Sequence, residues 1–257
     1  MRIATFNANS IRTRLDTVCA WLREHAPDIL AIQETKVTDD LFPAAAFEAM
    51  GYTAVFRGEK AYNGVAIVSR NAPDAVRYGF DDGGPADATR LLRARFGDLW
   101  IVNTYVPQGR EIAHPMYAYK IEWFSRLLGL FAREHDTGSP VLWLGDLNVA
   151  RTPDDLHDPG SHADHVCFHR AVREAFERVL AWGFDDVFRR FHLGPGHFTF
   201  YDYRAPHALE RGRGWRIDYL LATAQLAKQA RDAFIDLAPR RAPRPSDHTF
   251  LVGDFAR

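Results

Sequence analysis

The chain has 257 residues, 47% hydrophobic and 13% aromatic, enough to fill a sizeable core and too apolar for disorder as the default. Its 32 Lys and Arg balance 33 Asp and Glu to a formal net charge of -1, which excludes the overall basicity of a protein that coats nucleic acid and makes any polyanion site local. Cys19 and Cys167 fit no zinc spacing, and no segment has signal-peptide or membrane-span character, so a soluble, cytoplasmic protein with reduced thiols and no membrane partner is expected.

"RIATFN" predicts a strand that enters a turn at "NANS", and Ile11, Leu15, Val18, Cys19 and Leu22 then fall at helical spacing. "DILAIQE" predicts a buried strand ending in Gln33-Glu34, followed by the polar loop "TKVTDD" and a helix near Phe42 to Met50. Strands are expected at "YTAVFRG", "NGVAIVSR", "TRLLRARF" and "LWIVNTYV", then a long helix from about Tyr117 to Glu134. "PVLWLGDLNVA" (Pro140 to Ala150) is an apolar strand that turns into Gly-Asp-Leu-Asn. A helix from roughly Phe168 to Trp182 and strands at "GHFTFYDY", "WRIDYLLA", "DAFIDLA" and "HTFLVGDF" complete the chain. Helices recur between strands without strict alternation, which favours an α/β-sandwich of two sheets with helices outside over a barrel. No break in composition divides the sequence, so one domain over residues 1–257 is expected.

Several strand ends finish in polar sets: Asn7, Gln33-Glu34, Asn103-Thr104-Tyr105, Asp146-Leu147-Asn148 and Arg216-Ile217-Asp218, while Ser246-Asp247-His248 precedes the last strand. Each alone reads as turn chemistry. Together, carboxylates, amides, a phenol and an imidazole at one rim are costly to desolvate unless a cation or substrate satisfies them. Alternation along an extended chain aims Asp146 and Asn148 the same way, with Leu147 turned into the core. The donors are hard oxygens without a thiolate cluster, which suits Mg²⁺ or Mn²⁺. No nucleophile elbow, Walker loop or dinucleotide fingerprint is present, and metal-assisted attack of water on a phosphate remains.

The ordered segments "TFNANSIR", "PDILAIQETKV", "GYTAVFRGEKAYNGVAIVSR", "NTYVPQG", "YKIEWF", "LWLGDLNVA", "WGFDDVFRRFH", "FTFYDYR", "GWRIDYLLA" and "PSDHTFLV" give the chain a near end-to-end resemblance to one family. It resembles the exonuclease III family of apurinic/apyrimidinic endonucleases, within the endonuclease/exonuclease/phosphatase superfamily. The resemblance implies a four-layer α/β-sandwich, two mainly antiparallel sheets flanked by helices, and a Mg²⁺-dependent (or Mn²⁺-dependent) DNA-repair phosphodiesterase. It would cut 5′ to abasic sites and trim 3′ ends, acting as a monomer on double-stranded DNA with abasic sites or blocked 3′ ends. The same resemblance puts metal binding on Glu34, Asn7 and Asp247, with Asp146, Asn148 and His248 as further candidates. It makes Asp146 the residue that orients or deprotonates water, and Asn148 its partner. Tyr105 becomes the active-site tyrosine, His248 the contact to the scissile phosphate, and Asp218 the carboxylate paired with His248.

Local basic groups at Arg204, Arg211, Arg213 and Arg216, and at Arg240, Arg241 and Arg244, offer phosphate contacts, and Lys120 and Gln108 lie in family-matching segments. Phe200 stands where relatives usually carry a tryptophan, so the wall of a sugar pocket would be smaller. Ser10 replaces a usual glycine, and "FHRAVREAF" lacks the usual Pro-Glu-Glu-Arg entry. His157, His162, His165 and His169 read as loop and helix histidines rather than as a second metal site. Competing readings are a superfamily enzyme acting on RNA, inositol phosphates or lipid, and an inactive DNA-binding relative.

Overall fold

Buried and alternating apolar segments pair into two sheets of six strands in this computed structural model, which describes residues 1–256. In chain order the first half forms β1 (Arg2–Asn7), α1 (Ile11–His25), β2 (Ile29–Gln33), α2 (Ala44–Glu48), β3 (Thr53–Arg57), β4 (Val65–Ser69), β5 (Ala75–Tyr78), β6 (Leu91–Phe96) and β7 (Leu99–Tyr105). The second half forms α3 (Pro115–Glu134), β8 (Val141–Asp146), α4 (Arg170–Leu180), β9 (Phe184–Asp186), β10 (Asp218–Thr223), α5 (Ala224–Ala227), β11 (Ala230–Asp236) and β12 (Phe250–Phe255).

One sheet runs β11-β12-β1-β2-β4-β3 and the other β5-β6-β7-β8-β10-β9. Each is mixed, with a single parallel pair, β1 with β2 and β7 with β8, among antiparallel neighbours. Side-chain alternation then builds four layers. On β8, Leu142 and Leu144 join Ile3, Ile29 and Ile67 in the core between the sheets, while Val141 and Trp143 face outward into the cluster that contains Trp123, Phe131 and Phe176 of α3 and α4. On the opposite outer face, Val18, Trp21 and Leu22 of α1 pack over Phe6 and Phe250, whose rings stack 4.0 Å apart.

Polar residues also link the sheets. Gln33 donates to Asn103 Oδ1 at 2.7 Å, and Asn103 donates to the carbonyls of Ile32 and Ala66. These two amides, grouped from sequence with the polar strand ends, are satisfied between the sheets beneath the rim. Gly145 is required by close approach: at φ 129° an added Cβ would lie 2.1 Å from the Thr104 carbonyl oxygen on neighbouring β7.

The expected strand at "GHFTFYDY" is instead a loop. Phe200 makes isolated bridges to Trp215 and His248, because this segment crosses the open end of the sandwich where no strand continues beside it. Short β5, β9 and α5 were not anticipated; three or four residues carry too little periodicity to register. α3 starts before its expected position, with Pro115 at its first turn and the His114 side chain accepting from Met116 N.

Candidate active site

The parallel strands β1, β2, β7 and β8 end at one edge of the sandwich, where β10 begins and the segment before β12 returns. Register does the positioning: Tyr105 pairs with Asp146, and Asp146 pairs with Asp218. Here the chain encloses a pocket of about 570 Å³ lined by Glu34, Tyr105, Asp146, Asn148, Phe200 and His248, among others.

A continuous polar chain crosses the pocket floor. Asn7 Nδ2 donates to Glu34 Oε1 and to Asp146 Oδ2, both at 2.8 Å, and so joins the two sheets. Asp146 Oδ1 accepts from Asn148 N at 3.0 Å. Glu34 Oε2 lies 2.7 Å from Lys36 Nζ. His248 Nδ1 is 2.8 Å from Asp218 Oδ2, and its Nε2 is 3.7 Å from Asp146 Oδ2. Asp247 Oδ1 accepts from Asn9 Nδ2 at 3.0 Å.

Asp146 and Asn148 do converge, but strand alternation is not the cause. Asn148 has φ 51°, so the chain leaves the strand in a tight turn closed by the Asp146 carboxylate, with Leu147 fully buried in the outer core. Glu34 also sits at φ 51°. Two non-glycine residues held in the left-handed region cost free energy that the surrounding hydrogen bonds offset, a pattern concentrated at functional sites.

Burial disfavours the imidazolium of His248, yet the facing charges of Asp218 and Asp146 outweigh it and raise its pKa to about 10. Burial, together with the charges of Asp218 and Glu34, pushes Asp146 up to about 7 despite the attraction of His248. Burial opposes ionisation of Glu34, but Lys36 and Asn7 prevail and lower its pKa. Burial and the carboxylates of Glu34 and Asp146 push Tyr105 well above its ordinary range, which keeps it a neutral donor.

These shifts carry a sign. Between pH 3.8 and about 7 the folded state holds a proton on Asp146 that the unfolded chain has released. From 6.5 to about 10 the same is true of His248. Both contributions therefore make the metal-free protein less stable as pH rises, each by at most about 1.4 kcal/mol per pH unit. Denaturant titrations across pH are expected to show this decline, with the His248 ring ¹⁵N shifts still those of an imidazolium at pH 8. A ring that titrates near its ordinary value would contradict the Asp218 pairing.

The donor set also fits a hard divalent cation. Ionised Glu34, the Asn7 amide and Asp247 offer oxygens, and Asp218 Oδ1 is buried without a hydrogen-bond partner among the described residues. Ligand atoms of Asp146, Asp218 and His248 lie within 4.8 Å of one another. That trio includes Asp146 and His248, both expected from sequence as further metal candidates.

The profile of the Endonuclease/Exonuclease/phosphatase family matches residues 4–248. Exodeoxyribonuclease III of Haemophilus influenzae is 31% identical over 270 residues, covering 99% of this chain and all of the relative. Among solved structures, an AP endonuclease from Archaeoglobus fulgidus superposes with a TM-score of 0.98 at 47% identity, each chain covered in full. The chain belongs to the exonuclease III branch of this family. A 3′ phosphatase from Neisseria, bound to product DNA hairpin, gives a TM-score of 0.91 at 34% identity over the full length of both chains.

In this exonuclease III-type chain, Gln108, Phe200 and Arg204 line the pocket as expected, and the Phe200 ring lies 5.0 Å from that of His248. Arg213 faces an adjoining recess instead. Two expected DNA contacts are corrected. Lys120 is fully buried and donates to the carbonyls of Gln108, Asn148 and Val166 at 3.0, 2.6 and 2.9 Å, so it fastens the loops under the site. Arg216 is fully buried between Asp155 and Asp186, at 2.7 and 2.8 Å, and reaches no phosphate. Arg240 lies over Tyr201 and Tyr203 and donates to the Ser246 carbonyl, bracing the segment that carries Asp247.

Sequence reasoning missed Lys36, which holds Glu34, and Arg90, whose guanidinium stacks 4.7 Å from the Tyr105 ring centroid. It also missed Trp215, a pocket wall whose place in "GRGWRIDY" beside the site strand was the available signal.

Proposed function

We propose that this chain is a DNA-repair phosphodiesterase that hydrolyses the backbone 5′ to abasic sites, leaving a 3′-hydroxyl, and that it also trims 3′ ends. The observation that carries the reading is the placement of His248, held by Asp218 at 2.8 Å, opposite Asp146 across 3.7 Å in one pocket, where the facing carboxylates raise the pKa of His248 and burial raises that of Asp146. Relatives named as exodeoxyribonuclease III and AP endonuclease, and one solved with a DNA hairpin, support the substrate. They match the chain end to end, which supports reading residues 1–257 as one catalytic domain, acting as a monomer. An RNA, inositol phosphate or lipid substrate is not favoured.

Glu34, Asn7 and Asp247 would hold Mg²⁺, with Mn²⁺ as a substitute; when bound, the ion neutralises charge on the phosphate and lowers the pKa of water. Asp146 directs a water molecule at phosphorus and takes its proton, and its raised proton affinity suits a general base near neutral pH. Asn148 donates one amide hydrogen to the Val106 carbonyl at 3.0 Å, leaving the other for a phosphate oxygen. His248 and the Tyr105 phenol add donors where negative charge grows as the P–O bond opens. Asp218 is a positioning residue that keeps the imidazolium charged and oriented. Phe200, beside His248, walls the sugar pocket with less area than an indole would offer.

A duplex oligonucleotide with one abasic analogue is expected to be cut once, 5′ to the lesion, in Mg²⁺. A matched duplex ending in a 3′-phosphate is expected to release phosphate. Glu34→Gln should lower both rates by about 10²-fold or more, with the loss growing as Mg²⁺ is diluted. No cleavage of either duplex in Mg²⁺ or Mn²⁺ would overturn the proposal.

A further inference from the structure

The histidine-rich loop is not simply solvated. His162 and His165 fold against Trp215, ring centroids 5.0 and 4.7 Å away, and His157 lies 5.4 Å from His162. His157 Nδ1 contacts the Gly214 carbonyl at 3.3 Å and His162 Nδ1 the Asp158 carbonyl at 2.6 Å. A carbonyl only accepts, so each Nδ1 carries the hydrogen, and each Nε2 is left without a hydrogen-bond partner among the described residues. Among the described residues no three-ligand metal group includes these rings, which disfavours a second metal site.

Both histidines line a recess of about 680 Å³ together with Arg211 and Arg213. This recess shares His162, Asp202 and Trp215 with the catalytic pocket, so the two are continuous. Its acidic groups are engaged: Asp202 is paired with Arg204 at 2.8 Å, and Asp158 Oδ1 accepts from Ser161 N. The exposed Arg211 and Arg213 side chains make no hydrogen bond or ion pair among the described residues. An unpaired cationic pair in a concave site beside a phosphodiesterase centre calls for an anion from the same substrate.

We propose that His157, His162, Arg211 and Arg213 form a second phosphate subsite, which holds a backbone phosphate of the DNA whose scissile phosphate lies at His248. The inference rests on the DNA-phosphodiesterase reading and adds a feature specific to this chain, coupling of DNA binding to proton uptake. A neutral imidazole with its hydrogen on Nδ1 presents a lone pair at Nε2, which a phosphate oxygen repels. Once protonated, the same nitrogen becomes a charged donor. The groups facing the two rings are Asp158 on their own loop, His165 across Trp215, and Asp202, Arg204, Arg211 and Arg213 from the opposite loop. A phosphate bound between the rings and the two guanidinium groups attracts the charged form of each ring and accepts from its Nε2. DNA and protons therefore bind cooperatively here.

The test is duplex affinity against salt at pH 6 and pH 8, measured in EDTA so that no cleavage occurs, alongside steady-state cleavage in Mg²⁺. Replacing both arginines (Arg211→Gln with Arg213→Gln) should flatten the slope of log affinity against log salt by about 1.8 at both pH values. Replacing both histidines (His157→Asn with His162→Asn) should flatten it by about 1 to 2 at pH 6 and far less at pH 8. In each double variant KM should rise, while kcat at saturating DNA stays within about twofold of the parent. The arginine pair, whose side chains make no hydrogen bond or ion pair among the described residues, keeps the test valid even where the histidine variants melt early. Parental slopes in the arginine pair, with cleavage intact, would overturn the subsite and leave the enzymatic reading standing. A histidine pair that lowers melting temperature without changing the pH dependence of the slope would overturn the proton coupling. A parent that neither binds nor cuts DNA would overturn the underlying reading itself.

Discussion

Asp146→Asn is expected to slow single-turnover cleavage by about 10² to 10⁴-fold while moving the melting temperature by no more than about 5 °C. The amide keeps the size of the carboxylate but cannot accept a proton from water. Its oxygen can still accept from Asn148 N, where Asp146 Oδ1 now sits at 3.0 Å. One bond, from Asn7 to Oδ2, is lost because the new amide nitrogen there cannot accept, and a fully buried negative charge near Asp218 and Glu34 is removed at the same time. These stability effects oppose each other, whereas nothing replaces the proposed base. Its neighbour behaves in the opposite way. Leu147 is completely buried among the outer core residues, so Leu147→Asp should cost at least about 3 kcal/mol by denaturant melts and lose activity only through loss of folded protein.

Arg216→Met should destabilise the fold by about 3 to 5 kcal/mol and leave the salt dependence of DNA binding by the folded fraction unchanged. The guanidinium has no exposure, touches Asp155 and Asp186, and stacks 4.5 Å from the Tyr219 ring centroid. Asp155 is also held by Arg189 at 2.5 Å and caps its own short helical turn. Removing Arg216 leaves Asp186 buried with no ion pair among the described residues, and Asp155 with one. The network ties the loop after Asn148 to the start of β10, which bears Asp218. Chemical denaturation and a salt titration of binding separate the two outcomes. A flattened salt slope with unchanged stability would restore Arg216 as a phosphate contact.

Asn7, Glu34, Asp146, Asp218 and His248 were legible because each ends or precedes a strongly apolar strand, where a cluster of polar groups has no packing explanation. The two-sheet layering was legible from the same apolar runs. Arginine and lysine were not. A long cationic side chain reads identically in sequence whether it reaches solvent, as Arg213 does, or is enclosed by acceptors supplied from distant segments. Asp155 lies 61 residues from Arg216, and the acceptors of Lys120 come from the β7–α3 connection and from both ends of the β8–α4 connection. The same nonlocality hid the histidine recess, because Trp215, which gathers His162 and His165, comes from another part of the chain. "GHFTFYDY" misled for a further reason: its alternating aromatics are those of a strand, but they line the substrate pocket and the small cluster of Phe198 and Tyr201.

The proposed hydrolysis is direct in-line attack by water under the direction of Asp146, with no ester formed to the enzyme. It is tested most directly by hydrolysing a DNA phosphorothioate of known configuration in ¹⁸O-water and reading the stereochemistry of the released phosphorothioate. A single displacement gives inversion at phosphorus, which is the result expected here. Net retention would mean two displacements through a covalent intermediate and would contradict the roles given to Asp146 and His248.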